Sequence, residues 1–341
     1  MSPLAFGVDI GGTKVNVGLV SDQGRIISKY KEPTDVSSPI GVLNQVCRLI
    51  DVQIRQQGLR LEEVLGIGVC LPAVIDPKTE KISWTPPHLP RWERVSFKEF
   101  LEARLNRPVC LEYDGHACAY AEQWLGVCRH VNSAVIVVIG TGVGGGLILD
   151  GRVYHGGTNI AGAVGWMILN ICDITAESAP NRGYVENSVC GSALAQKAQE
   201  MVKSCEHSAS LWGKKQITPG TVFDAAETGD PLASELVRQM IMHVGVAVAN
   251  IVSLLNVEMV VIGGGLGKRL GPYLAEIEAF VKRYAQPVAG KNVVIKITQL
   301  GDDMGMLGAA RAAFLRFNGG EKPCRGLTLE NERVQKESFH A

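Results

Sequence analysis

Phe6-Gly7-Val8-Asp9-Ile10-Gly11-Gly12-Thr13-Lys14-Val15-Asn16-Val17-Gly18-Leu19-Val20 is the stretch that decides the fold reading. Two apolar runs rich in valine flank Gly11-Gly12-Thr13-Lys14, so residues 6–20 are expected to form a strand, a glycine turn and a returning strand. Glycines let a ligand approach the backbone and aim successive N–H groups at an anion, while Thr13 and Lys14 add side-chain donors. Asp9, at the strand end, has the chemistry to hold hydrated Mg²⁺, which prefers carboxylates and water. A plain hairpin turn would use the same glycines, and the Walker spacing GxxxxGK[ST] is missing.

The unit returns about 130 residues later: residues 134–139 are a strand, Gly140-Thr141-Gly142-Val143-Gly144-Gly145-Gly146 a turn, and 147–149 the returning strand. Five glycines in seven residues exceed what a hairpin needs, which points to phosphate binding. A third glycine turn, Gly263-Gly264-Gly265-Leu266-Gly267, follows the apolar strand 258–262. Three such turns at strand ends imply a nucleotide held between two related lobes. Between them lie a helix at 39–57, a buried strand at 65–71, a helix at 97–105, a strand at 109–112 and a helix at 115–125. A long helix at 231–255 is apolar nearly all round and therefore buried. Asp114 stands where the strand at 109–112 passes into the helix after it; both a helix N-cap and a catalytic base suit that place.

The composition is globular: 46% hydrophobic and 20% charged residues, with 34 basic and 34 acidic side chains. With no net charge, neither nucleic acid nor an anionic membrane is an expected partner. The opening residues lack a basic stretch followed by an apolar one, so a cytoplasmic location is expected. Nine scattered cysteines without a CxxC pair fit reduced, buried thiols. His116, His130, His155 and His243 lack metal spacing and are expected at the surface or satisfied.

Taken together these motifs resemble the ROK family of sugar kinases, over about residues 5 to 315. Residues 9–14 look like its first phosphate loop, 66–76 its GxGxPGxVD segment, and 87–92 its NLPGW segment. Tyr113-Asp114 is similar to its Asn-Asp, 140–146 to its GTGxGGG, 183–186 to its GCxE, and 263–266 to its adenosine-side turn. The resemblance implies an α/β, actin-like (ribonuclease H-like) two-domain ATPase fold, each domain a mixed sheet flanked by helices. The expected division is a smaller lobe of 1–120 plus a C-terminal helix at about 304–317, a larger lobe of 121–303, and a polar tail at 318–341. It also implies ATP and Mg²⁺, Asp114 as general base, and a homodimer as a common assembly. Nucleotide contacts are then expected from Asp9, Gly11, Gly12, Thr13, Lys14, Gly140, Thr141, Gly142, Gly144, Gly263, Gly264, Gly265 and Leu266. Substrate contacts are expected from Ala73, His88, Tyr113, Asp114, Gly142, Trp166 and Glu186.

The chain also departs from the family pattern. Where AGEiGH is usual it reads Ala161-Gly162-Ala163-Val164-Gly165-Trp166, and of the zinc cysteines only Cys172 is nearby, with Tyr184 at the place of the last. No zinc site is expected. With Ala163, Trp166, Tyr113 and His88 at sugar-facing positions, plain glucose is a poor match; Trp166 either stacks on an apolar substrate face or fills vacated volume. The expected function is transfer of the ATP γ-phosphate to a hydroxyl of a sugar-like molecule. The alternative is a catalytically idle sugar- or nucleotide-binding regulatory relative. A DNA-binding repressor is not expected, since eight residues precede Asp9 where such proteins carry a helix-turn-helix.

Overall fold

The computed structural model describes residues 2–86, 89, 91–170, 183–204 and 216–318. The expectations for His88, Cys172 and all but the first residue of the 318–341 tail fall outside them.

The first sheet contains β1 (Leu4–Ile10), β2 (Lys14–Ser21), β3 (Ile26–Pro33), β4 (Val64–Leu71) and β7 (Val109–Tyr113), in the order β3-β2-β1-β4-β7. The second contains β8 (Ala134–Ile139), β9 (Val143–Leu149), β10 (Arg152–Tyr154), β11 (Met259–Gly263) and β12 (Val294–Ile297), in the order β10-β9-β8-β11-β12. The orders are equivalent: an antiparallel meander whose first strand pairs in parallel with a later strand, which in turn pairs in parallel with one more. The internal echo in the sequence is thus a duplicated sheet, and the chain has the actin-like α/β fold. A separate ribbon joins β5 (Val74–Ile75) to β6 (Ile82–Trp84).

Local chemistry sets the helix limits. Helix α1 (Pro39–Gln57) starts at Ser38, whose hydroxyl accepts from the Gly41 N–H at 2.9 Å, and stops at Gly58 in the left-handed region. Helix α2 (Phe97–Leu105) buries Phe97, Leu101 and Leu105 on one stripe. Among the described residues one helix is long and apolar enough to cross a membrane, Pro231–Leu255, and its buried face belongs to the core of the second sheet.

Two helices lie between the sheets: α3 (Asp114–Trp124), and the last helix, Met304–Phe317, which returns to pack on β1 and β4. The approach is backbone to backbone. A Cβ at Gly7 or Gly68 would overlap carbonyls of the last helix, and one at Gly308 would overlap the Ala117 carbonyl of α3. This layer forms its own core, with Val20, Cys110, Ile136, Ile148 and Phe314 among its members.

One boundary differs from the sequence reading. Gly144, Gly145 and Gly146 belong to strand β9, and the turn shrinks to Gly140-Thr141-Gly142. Their small size serves packing: a Cβ at Gly145 would come 2.5 Å from the Ile136 carbonyl, and one at Gly146 would overlap the Gly115 carbonyl of α3.

Candidate active site

Strands β1, β4 and β7 are parallel, as are β8 and β11, so their C-terminal ends gather on one side. A cleft of about 280 Å³ opens there between the two sheets. It is lined by Asp9, Gly11, Gly12, Thr13, Lys14, Ala73, Tyr113, Asp114, Gly140, Thr141, Gly142, Gly144, Trp166 and Glu186, which the sequence had singled out. Gly263, Gly264, Gly265 and Leu266 are not among the lining residues. They end β11 and begin a single helical turn, Gly264–Gly267, in which Leu266 is buried in the core. Two of the three glycine turns therefore line this cleft.

Asp9, next to the end of β1, is half-buried in the wall of this cleft. Burial pushes its carboxyl up to about 6, against a weak contact from the Cys70 thiol at 3.5 Å and the charges of Lys14 and Lys31. Asp114 opens α3, but Tyr113 is the capping residue, and the Asp114 carboxylate accepts from the adjacent Gly115 N–H at 2.7 Å. Asp114 is thus not the helix N-cap that its position allowed. Burial, then the charge of Asp9, raises its carboxyl to about 7. Two carboxyls raised above their ordinary range beside a glycine turn, that of Asp114 partly by the charge of Asp9, suit a divalent cation with water ligands.

Tyr113 is buried, with its hydroxyl against Gly144; a Cβ there would sit 3.1 Å from it. Burial holds its phenol well above the usual range. The Glu186 carboxylate accepts from the Val143 N–H at 2.8 Å, so it braces the 140–142 turn from the first turn of a short helix, Tyr184–Val189. A Cβ at Gly142 would lie 2.8 Å from that carboxylate.

Two features were not read from the sequence. Trp84, at the end of β6, meets Trp166 edge to face with ring centroids 5.8 Å apart, and both remain about 40% exposed (41% and 42%) at the cleft. Both readings of Trp166 anticipated a partner in the substrate or in packing, not a second tryptophan from the other sheet's ribbon. The only signal for Trp84 was a large aromatic beside Thr85-Pro86, in a segment too irregular for core. Lys14, expected to point at phosphate, pairs with Asp302 at 3.2 Å; Lys31 and Lys268 reach the same carboxylate at 2.8 and 3.4 Å. The hydrogen bond from Lys31 comes first in holding Asp302 well below the usual carboxylate range.

The raised carboxyl of Asp114 has a sign that can be tested. A folded-state value near 7 against 3.8 means the fold binds this proton more tightly than the unfolded chain does. Stability linked to it therefore grows as pH falls through 7 and is reduced above it. Asp114→Asn should raise the melting temperature of the ligand-free protein at pH 8, with the gain shrinking by pH 6. A gain that is equal at both pH values, or larger at pH 6, would sink the assignment of a raised value.

The family model described as ROK family matches residues 5–314. A glucokinase of Halalkalibacterium halodurans is 28% identical over 93% of this chain and 96% of its own length. A xylose repressor of Caldicellulosiruptor bescii is 25% identical, over 89% of this chain and 76% of its own. Among solved structures, a ROK family glucokinase from Streptomyces griseus in complex with glucose and AMPPNP superposes with a TM-score of 0.77 at 25% identity, covering 91% of this chain and 98% of that one.

Proposed function

The chain belongs to the ROK family, and from that premise we propose that it transfers the γ-phosphoryl group of ATP to a hydroxyl of a sugar-like substrate. The observation that carries the reading is a half-buried carboxylate, Asp114, poised near 7 in the same cleft as the 11–13 and 140–142 turns. A base works best when its pKa lies near the operating pH. In the proposed step Asp114 takes the hydroxyl proton as that oxygen bonds to the γ-phosphorus; the bond to the β,γ-bridging oxygen breaks and ADP leaves. The backbone N–H groups of the two turns orient the phosphates and meet the charge on the phosphoryl oxygens, with Lys14 drawn from Asp302 as a further donor. A Mg²⁺ held through water by Asp9 would neutralise charge on the transferring group. Gly263, Gly264, Gly265 and Leu266 are assigned to the adenosine end, outside the cleft. The lobe division at 1–120 with 304–317, against 121–303, is part of the same proposal.

Trp84 and Trp166 favour a substrate with one apolar face, stacked or edge-packed between them, over a fully hydroxylated hexose. N-acyl hexosamines, deoxy or anhydro sugars and cyclitols fit that description. A second reading, a ligand-binding regulator without turnover, draws on the same altered sugar face and on the relative named as a repressor. The deciding experiment is an ATP-consumption screen over hexoses and these four classes. Turnover on at least one is expected, with Trp166→Ala raising KM far more than it lowers kcat. ATP bound but consumed with none of them would overturn the kinase reading in favour of the second.

A further inference from the structure

Behind the cleft, in the layer between the sheets, lie three buried side chains that phosphoryl transfer does not use. Glu112 on β7 is 7% exposed, and His116 in the first turn of α3 is 0% exposed. His155 follows β10 and is 11% exposed at its side chain. Strand alternation explains why a carboxylate is there: Cys110 packs in the central layer and Leu111 on the opposite face, so Glu112 shares the side of Cys110.

The three form one cluster. Each offers a ligand atom, and these atoms lie within 4.8 Å of one another. Glu112 Oε2 is 3.4 Å from His155 Nε2, and the two imidazoles meet with centroids 4.5 Å apart. His116 Nε2 faces the Ala161 carbonyl at 3.1 Å. That carbonyl can only accept, so Nε2 carries the proton and Nδ1 keeps its lone pair. His116 Nδ1, His155 Nδ1 and Glu112 Oε2 are all buried without a hydrogen-bond partner. A buried acceptor left without a partner is costly, which favours a bound partner for this cluster, although the Tyr120 hydroxyl also lies 3.4 Å from His155 Nε2.

We propose that Glu112, His116 and His155 bind a divalent transition-metal ion of the zinc class, at a site distinct from the phosphate cleft. Two imidazoles and a carboxylate suit zinc rather than magnesium, and three protein ligands are the usual number for an open zinc site. Ligand atoms about 2.1 Å from a tetrahedral ion lie roughly 3.4 Å apart, so the cluster needs only small side-chain rotations. The Ala161 carbonyl supplies the outer hydrogen bond that orients a ligating histidine. Burial pushes the His116 imidazole down to about 4, aided by its neighbour His155, which keeps it neutral as a ligand must be. The ion would tie the β7–α3 junction, and with it Asp114, to the segment that leads to Ile160 and Trp166. His116, buried with Nδ1 unpaired, is neither at the surface nor satisfied as the sequence suggested, and the proposed site departs from the expectation of no zinc site.

The test uses the full chain, stripped with chelator and then titrated with Zn²⁺ or Co²⁺. One zinc per chain should survive desalting and raise the melting temperature. His116→Asn should lose at least about 100-fold in zinc affinity, more than an outer-shell substitution does. Cobalt should give visible bands without a near-ultraviolet thiolate band, which separates this site from the cysteines. His155→Gln is the second variant, with circular dichroism in chelator as the folding control for both. Absence of stoichiometric zinc, a thiolate band, or undiminished binding by both folded variants would each overturn the proposal. None of these readouts depends on turnover, so the kinase reading stands or falls apart from them.

Discussion

Replacing Asp114 with Asn is expected to lower kcat by about 10²- to 10⁴-fold, the usual contribution of a general base. The change is nearly isosteric, and the amide oxygen can still accept the Gly115 N–H, so the start of α3 should keep its form. Nucleotide affinity should stay within a few-fold, because the turns at 11–13 and 140–142 use backbone donors. The wild-type enzyme should gain activity as pH rises through about 7, where the Asp114 carboxyl loses its proton, and this ascending limb should vanish in the variant. Steady-state kinetics from pH 6 to 8 on the substrate found by screening would check both. Full turnover by the variant would refute the role of Asp114.

Gly308→Ala should be the most damaging single-methyl change in the fold. On helix propensity alone it would stabilise by about 1 kcal/mol. The added Cβ would instead overlap the Ala117 carbonyl, a backbone atom that no rotamer change can move aside. Overpacking a tight core costs on the order of 1–3 kcal/mol and occasionally more, and here two helices and both sheets would have to shift together. The clash therefore wins. Gly271→Ala, where an added Cβ meets nothing within 4 Å, is the control and should be close to neutral. Thermal or urea denaturation decides it. Equal stability of Gly308→Ala and wild type would show that the helix contact relaxes without loss.

Much of the architecture was legible because its signals are local. Valine-rich runs around Gly11-Gly12 and Gly140-Thr141-Gly142 announced both hairpins, and the apolar spacing of about 39–57 marked α1. Gly145 and Gly146 misled as turn residues, because a glycine required where backbone packs on a strand looks in sequence like one required by a ligand, whereas Gly144 does line the cleft. The partner of Lys14 was not legible: Asp302 lies 288 residues away along the chain, and no local pattern links them.

The sequence by itself determined the duplicated strand–turn–strand units, most helix spans and the glycine turns at the cleft, since each depends on backbone preferences and period within a few residues. Only the tertiary structure decided which groups share a space. It set Trp84 against Trp166, raised the carboxyls of Asp9 and Asp114 by desolvation, gathered Glu112, His116 and His155, and left the third glycine turn out of the cleft lining. Such outcomes depend on distance and dielectric between segments far apart in the chain, and those quantities exist only once the two sheets have closed around α3 and the last helix.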